Sequence, residues 1–95
     1  MALDYFDKLA EVSVKEAIQQ LLADGKRPSS RTVPNEARQV LRLKGRGRVT
    51  EIEAEKRVQQ AIERMRNRKE IKAPKAGNGD WALIDQAAKS ATETK

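Results

Sequence analysis

"IKAPKAGNGDWALID", residues 71–85, is where the hydrophobic period of this chain changes. "EIKA" is short and extended, "PKAGNGD" is turn chemistry, and "WALID" alternates in bulk so that it can pair back as a second strand. The connection of about seven residues exceeds the two to five usual for a hairpin. Everything before it reads as helix or as loop between helices. An isolated hairpin is marginal in water and needs a surface to lie on. The apolar face of the preceding helix is the nearest such surface. Trp81, the single tryptophan, is large enough to cover that seam and to supply much of a thin core. The alternative is an exposed ring stacking on a base, as in single-strand binders. Trp81, Leu83 and Ile84 are therefore expected to face inward, with Lys72, Lys75 and the glycine turn outward.

Working back from the hairpin, Thr50 and Glu53 fit a capping box. Ala54, Val58, Ala61, Ile62 and Met65 then share one arc of a helix expected over about 50–69. Ile52 falls about 120° off that arc, so either it packs on something else or the first turn is distinct. "RLKGRGRV" (42–49) has two glycines, four basic residues, no acid and no apolar period, and reads as a flexible basic loop. Val33, Ala37, Val40 and Leu41 mark a second helix over about 32–42, with Pro34 confined to its first turn and Ser30 or Thr32 as its cap. "KRPSS" (26–30) has turn or extended character, and a strand stub near Lys26 to Ser29 is a possible third strand. Ser13 and Glu16 suggest a first helix over about 14–24, with Val14, Ile18, Leu21 and Leu22 on its buried face and Gly25 as a left-handed cap. Residues 1–12 read as a short leading helix or a frayed arm, residues 13–85 as the domain, and residues 86–95 as a disordered tail.

The chain has 95 residues, 38% of them apolar and 36% charged, which bounds it to one small domain with a mostly aliphatic core. It has no cysteine and no histidine. Disulfides, thiolate metal sites, imidazole bases and Ser-His or Cys-His nucleophiles are thereby removed. Its acids are scattered and do not form a dense oxygen-ligand loop. The expectation is a protein that is no enzyme and has no cofactor, no metal and no evident small-molecule ligand. No apolar run approaches the ~20 residues of a membrane span and no signal peptide is present, so a cytoplasmic protein is expected, nucleoid-associated if it binds DNA.

Net charge is +6, and its distribution is uneven. Residues 1–25 carry two lysines and five acids, whereas residues 26–75 carry sixteen Lys/Arg against six acids. A basic centre of this kind is the electrostatic footprint expected for a polyanion. A solubility surface, the alternative, usually mixes both signs.

The order helix, turn, helix, basic loop, long helix, hairpin is that of a winged helix-turn-helix domain: mainly α, three helices plus a C-terminal wing. "RVQQAIERMRNRKEIKAPKAGNGDWALID" (57–85) resembles the closing segment of many winged-helix modules, including the N-terminal domain of Mrr-type restriction proteins and Z-nucleic-acid-binding modules. It departs from them in having Lys69-Glu70 where a glycine commonly closes the helix, and it lacks the prolines of the Z-binding wing. "LLADGKRPSSRTV" (21–33) is similar to the opening of plasmid KfrA-type DNA-binding domains. The resemblance implies a DNA-binding protein with helix 3 in the major groove, either a small transcriptional regulator or a mobile-element protein. On a helical wheel Lys56, Gln60, Glu63 and Asn67 lie opposite the buried arc, and Arg57, Arg64 and Arg68 form one flank. Lys56, Arg57, Gln60 and Arg64 are the expected groove contacts, since Gln suits adenine edges and Arg suits guanine edges or phosphates. Arg46 and Arg48, between glycines, are the expected phosphate contacts. Lys72 and Lys75 on the wing would meet the minor groove or flanking phosphate, and Arg38 and Arg42 would add to the phosphate contacts. The expected partner is duplex DNA. One alternative is a protein-interaction module, such as a phage or plasmid adaptor or inhibitor, with Leu3, Tyr5 and Phe6 in a homodimer arm or docking helix; another is an RNA-binding protein, which the same charge distribution would suit.

Overall fold

A computed structural model describes residues 4–73 and 80–84. The elements run α1 (Tyr5–Ala23), α2 (Thr32–Lys44), α3 (Glu51–Asn67), β1 (Ile71–Lys72) and β2 (Ala82–Leu83). The protein is mainly helical with a small antiparallel two-stranded sheet, as the periodicity implied.

The start of α1 corrects the sequence reading. The helix begins at Tyr5, not near Val14, and Asp4 caps it by accepting a 2.8 Å hydrogen bond from the Asp7 backbone N–H. Ser13 lies fully buried in mid-helix, and its hydroxyl donates to the Leu9 carbonyl at 2.8 Å. A serine can satisfy its hydroxyl this way inside a helix, so Ser-x-x-Glu does not by itself mark a start. The deciding signal is Ala10, which continues the buried stripe of Val14, Ala17, Ile18 and Leu21 back past Ser13. Leu22, placed on that stripe from sequence, is instead 58% exposed, because at 100° per residue it lies beyond the stripe's edge.

At α2 the cap also differs. Neither Ser30 nor Thr32 alone serves. Ser29 and Thr32 form a reciprocal pair, with the Ser29 N–H donating to Thr32 Oγ1 at 2.9 Å and the Thr32 N–H donating to Ser29 Oγ at 3.2 Å. Pro34 sits in the first turn, as it must. The start of α3 follows the expected box, since Thr50 Oγ1 accepts from the Glu53 N–H at 3.1 Å. Ile52 neither packs elsewhere nor marks a distinct turn: it is 80% exposed on a regular helix.

A left-handed residue follows each helix: Gly25 (φ 75°), Arg46 (φ 52°) and Lys69 (φ 60°). After α1, the Lys26 N–H donates to Leu21 O at 2.7 Å and the Gly25 N–H to Leu22 O at 3.1 Å. After α3 the same pair recurs, Glu70 N–H to Met65 O at 2.8 Å and Lys69 N–H to Arg66 O at 3.0 Å. This double bond pattern satisfies carbonyls that the helix end would otherwise leave open. Lys69 thus takes the conformation that glycine commonly supplies, at a steric cost of about 1–2 kcal/mol.

The core joins α1, α2 and α3 through Ala10, Ala17, Ala37, Ala54 and Ala61, all fully buried, which lets the helices approach closely around Ile18, Leu41, Val58 and Met65. The hairpin closes it. Ile71 pairs with Leu83 and Lys72 with Ala82; β1 packs on α3, and β2 reaches across to α1. Ile71, Ala73 and Trp81 are buried, while Leu83 and Ile84 are partly buried and Lys72 is exposed. Trp81 is therefore a core residue. The strand stub expected near Lys26 to Ser29 reduces to one backbone bond, from the Trp81 N–H to Pro28 O at 3.0 Å. Pro28 has no N–H with which to return the bond. Lys75, the glycine turn, Leu3 and the tail at 86–95 lie outside the described residues.

Trp81→Ala is expected to lower stability by about 3–5 kcal/mol in urea denaturation, the usual result of emptying an aromatic core site. Lys69→Gly is expected to raise stability by about 1 kcal/mol in the same measurement, by relieving the left-handed backbone.

Candidate nucleic-acid interface

Burial of its apolar stripe fixes how α3 is rotated. With Ala54, Val58, Ala61, Ile62 and Met65 inward, Lys56, Gln60, Glu63 and Asn67 are exposed, as the wheel implied. The arginine flank lies against α1. Arg57 Nη1 meets Asp4 Oδ1 at 3.1 Å and Asp7 Oδ1 at 2.8 Å, and its guanidinium sits 5.5 Å from the centre of the Phe6 ring. Arg64 donates to Glu11 Oε2 at 2.7 Å and to the Asp7 carbonyl at 3.2 Å. Arg68 is held by Glu11 and by Glu70. Acids at 4, 7 and 11 thus meet arginines at 57, 64 and 68 in the same order along both helices. The acidic N-terminal segment is the counter-charge of α3.

The electrostatics of this seam are those of a shielded network. The Glu11 side chain is only 14% exposed. Burial pushes its carboxyl up, but hydrogen bonds and charge from Arg68 and Arg64 outweigh that and hold it below its ordinary value. The Asp4 carboxyl is held down first by the Asp7 N–H and then by Arg57. Arg57 is pushed up by its two aspartates despite partial burial, and Arg68 by Glu11 and Glu70.

Further cations are occupied as well. Lys44 pairs with Glu16 at 2.7 Å, Arg66 with Glu63 at 2.6 Å and Arg38 with Glu55 at 3.5 Å. Arg46 and Arg48 are exposed, and neither side chain has an ion pair or hydrogen bond among the described residues; the same is true of Arg42, Lys56 and Lys72. The loop that carries the two arginines is less free than its glycines suggested. Val49 is buried, and a Cβ on Gly45 would stand 2.8 Å from Val49 Cγ2 and 3.1 Å from Leu41 O. The chain can turn this tightly only because residue 45 has no side chain.

Arg46 and Arg48 share a groove of about 630 Å³ with Tyr5, Phe6, Leu9 and Leu43. Gln60 and Arg64 share a shallower cleft with Gln59 and Glu63. Of the residues expected to touch DNA, the structure brings Arg46 and Arg48 together and leaves Lys56 and Gln60 open on α3. Arg57 and Arg64 are committed to α1, and Lys72 stands apart on β1. Sequence reasoning missed the exposure of Leu43 and the pairing of the two helices. The signal that could have revealed the pairing was that acids at 4, 7 and 11 and arginines at 57, 64 and 68 each recur at helical spacing along one side of their helix. Among the described residues no cluster of side chains is arranged to hold a metal ion, and no helix is long and apolar enough to cross a membrane. Comparison of the chain with protein-family models, with curated proteins and with solved structures finds no match.

Because the folded-state pKa of Glu11 is depressed, its contribution is complete above the unperturbed value of 4.5 and is lost as pH falls through the lowered folded value. Stability is therefore expected to fall as pH drops below about 4.5. Glu11→Gln should flatten that acid limb in denaturation midpoints measured across the same range. An unchanged limb would show that Glu11 is not responsible.

Proposed function

We propose that this chain is a non-enzymatic DNA-binding protein of the winged helix-turn-helix class, with α3 as the groove helix and the hairpin as the wing. The observation that carries this reading is the pair Arg46 and Arg48. Two unpaired guanidiniums stand on a short, tightly packed connection that leads directly into α3. Their charge is available to phosphate, whereas the neighbouring Lys44 and Arg38 already have carboxylate partners. The element order and the burial of the hairpin against α3 and α1 support the class.

The division of labour differs from the one drawn from the wheel. Phosphate contact belongs to Arg46 and Arg48, with Arg42 and Lys72 as further free cations. Base contact belongs to Lys56 and Gln60, with Gln59 beside Gln60 in the α3 cleft. Arg57 and Arg64 act by holding α3 against α1. The outer face of α3 is not strongly basic, since Glu51, Glu55 and Glu63 share it with Lys56. Affinity is accordingly assigned to the loop, and sequence preference to the helix. A protein-interaction module is the second reading, favoured by Ile52, which stands exposed between Glu51 and Glu55.

Duplex binding followed by fluorescence anisotropy should weaken linearly in log–log terms as salt rises. Arg46→Ala with Arg48→Ala should weaken all sequences alike and reduce the salt slope by about 2. Gln60→Ala should instead change the ranking among sequences, and Arg64→Ala should lower stability more than affinity. Absence of duplex binding at low salt, or binding indifferent to salt, would sink the reading.

A further inference from the structure

The groove beside the basic loop contains more than a phosphate can use. Its walls carry Tyr5 at 67% and Leu43 at 79% exposure, and Phe6 and Leu9 are partly buried at its floor. Its free cations are Arg46 and Arg48, because Lys44 is tied to Glu16. The volume of about 630 Å³ falls within the ~300–1,000 Å³ of clefts that hold ligands. We propose that this groove docks an acidic, apolar peptide segment of a protein partner, with aliphatic or aromatic anchors against Leu43 and Tyr5 and carboxylates on Arg46 and Arg48.

Charge complementarity selects the sign of the occupant, and the exposed apolar walls select its class. A phosphate backbone would pair with the arginines and leave Leu43 and Tyr5 in water. A single strand would need flat rings on which to stack its bases. Here Tyr5 meets Phe6 edge-on, with centroids 5.2 Å apart and planes at 71°, and the Arg57 guanidinium already sits over Phe6. The remaining wall, Leu43, is aliphatic. Only a ligand that combines apolar side chains with carboxylates uses every part of the groove. A second consequence rests on the DNA reading above: because both ligands need Arg46 and Arg48, peptide and duplex bind one at a time. Such a partner would release the protein from DNA.

The test uses the full chain and a panel of fluorescein-labelled synthetic peptides that pair Leu or Phe with Glu at varied spacing. Polyglutamate of equal charge, an oligo-dT single strand and a DNA duplex are the controls. At least one peptide should bind at least tenfold more tightly than polyglutamate. Leu43→Ser and Tyr5→Ser should each weaken it roughly tenfold, the expected effect of losing one apolar contact, and leave duplex affinity unchanged. Both positions are exposed, and circular dichroism verifies that the variants fold. Arg46→Ala with Arg48→Ala should weaken peptide and duplex together, and unlabelled duplex should displace the peptide. Equal binding of peptides and polyglutamate, no peptide binding, or indifference to Leu43→Ser overturns the docking site. A single strand whose binding depends on Tyr5 and Leu43, where no peptide's does, also overturns it in favour of nucleobases. Peptide binding that depends on Leu43 without any duplex binding upholds the docking site and overturns the DNA reading.

Discussion

The rotation of α3 about its own axis governs the rest of this structure. It is set by the burial of Ala54, Val58, Ala61, Ile62 and Met65, since removing apolar area from water is the dominant favourable contribution available to so small a chain. Once that stripe is inward, the residues on either side have no freedom of address. Arg57, Arg64 and Arg68 must lie toward α1, and Asp4, Asp7 and Glu11 are there to meet them. Exposed ion pairs contribute little individually. These are partly shielded and linked through shared partners, so they act as a register for two helices already held by alanines and valines. The seam specifies alignment more than it supplies stability.

The same geometry redistributes the charge. A chain whose central fifty residues look uniformly basic folds so that much of that charge is neutralised by its own acids. Two of the cations that stay open, Arg46 and Arg48, sit on the connection between α2 and α3, where Gly45 packs against Val49 and Arg46 turns left-handed. On the DNA reading proposed above, net charge alone would put the polyanion on the broad face of α3, whereas the ion pairs favour the loop. The exposed Tyr5 and Leu43 beside that loop add an apolar component that an electrostatic footprint does not contain.

Helix ends connect fold and site in a second way. A left-handed residue follows all three helices, but only after α1 is it a glycine. Arg46 and Lys69 accept the steric cost at the two turns that bracket α3. The turn at Arg46 keeps a guanidinium outside while Val49 goes in, and the turn at Lys69 delivers Ile71 to the core directly after the helix. The hairpin then spans α3 and α1 and places Trp81 over a core that contains few other aromatic atoms.

Much of this was legible beforehand, because it rests on local periodicity and chemistry. The stripe of α3, the Thr50 cap, the left-handed Gly25, the change of period at residue 71 and the inward Trp81 all follow from spacing and from the scarcity of apolar residues. Local sequence does not distinguish a serine that caps a helix from one buried inside it, since both satisfy the same hydroxyl; the Ser13 signal therefore sets the start of α1 later than the fold does. The wheel likewise identified Arg57, Arg64 and Arg68 as one flank but not what that flank faced. The sequence by itself determined most of the apolar stripe that lies inside, which turns can close and that basic charge exceeds acidic charge. Only the tertiary structure decided which cations remain free, because an ion pair between residues some fifty positions apart depends on how two buried stripes pack and not on either segment alone.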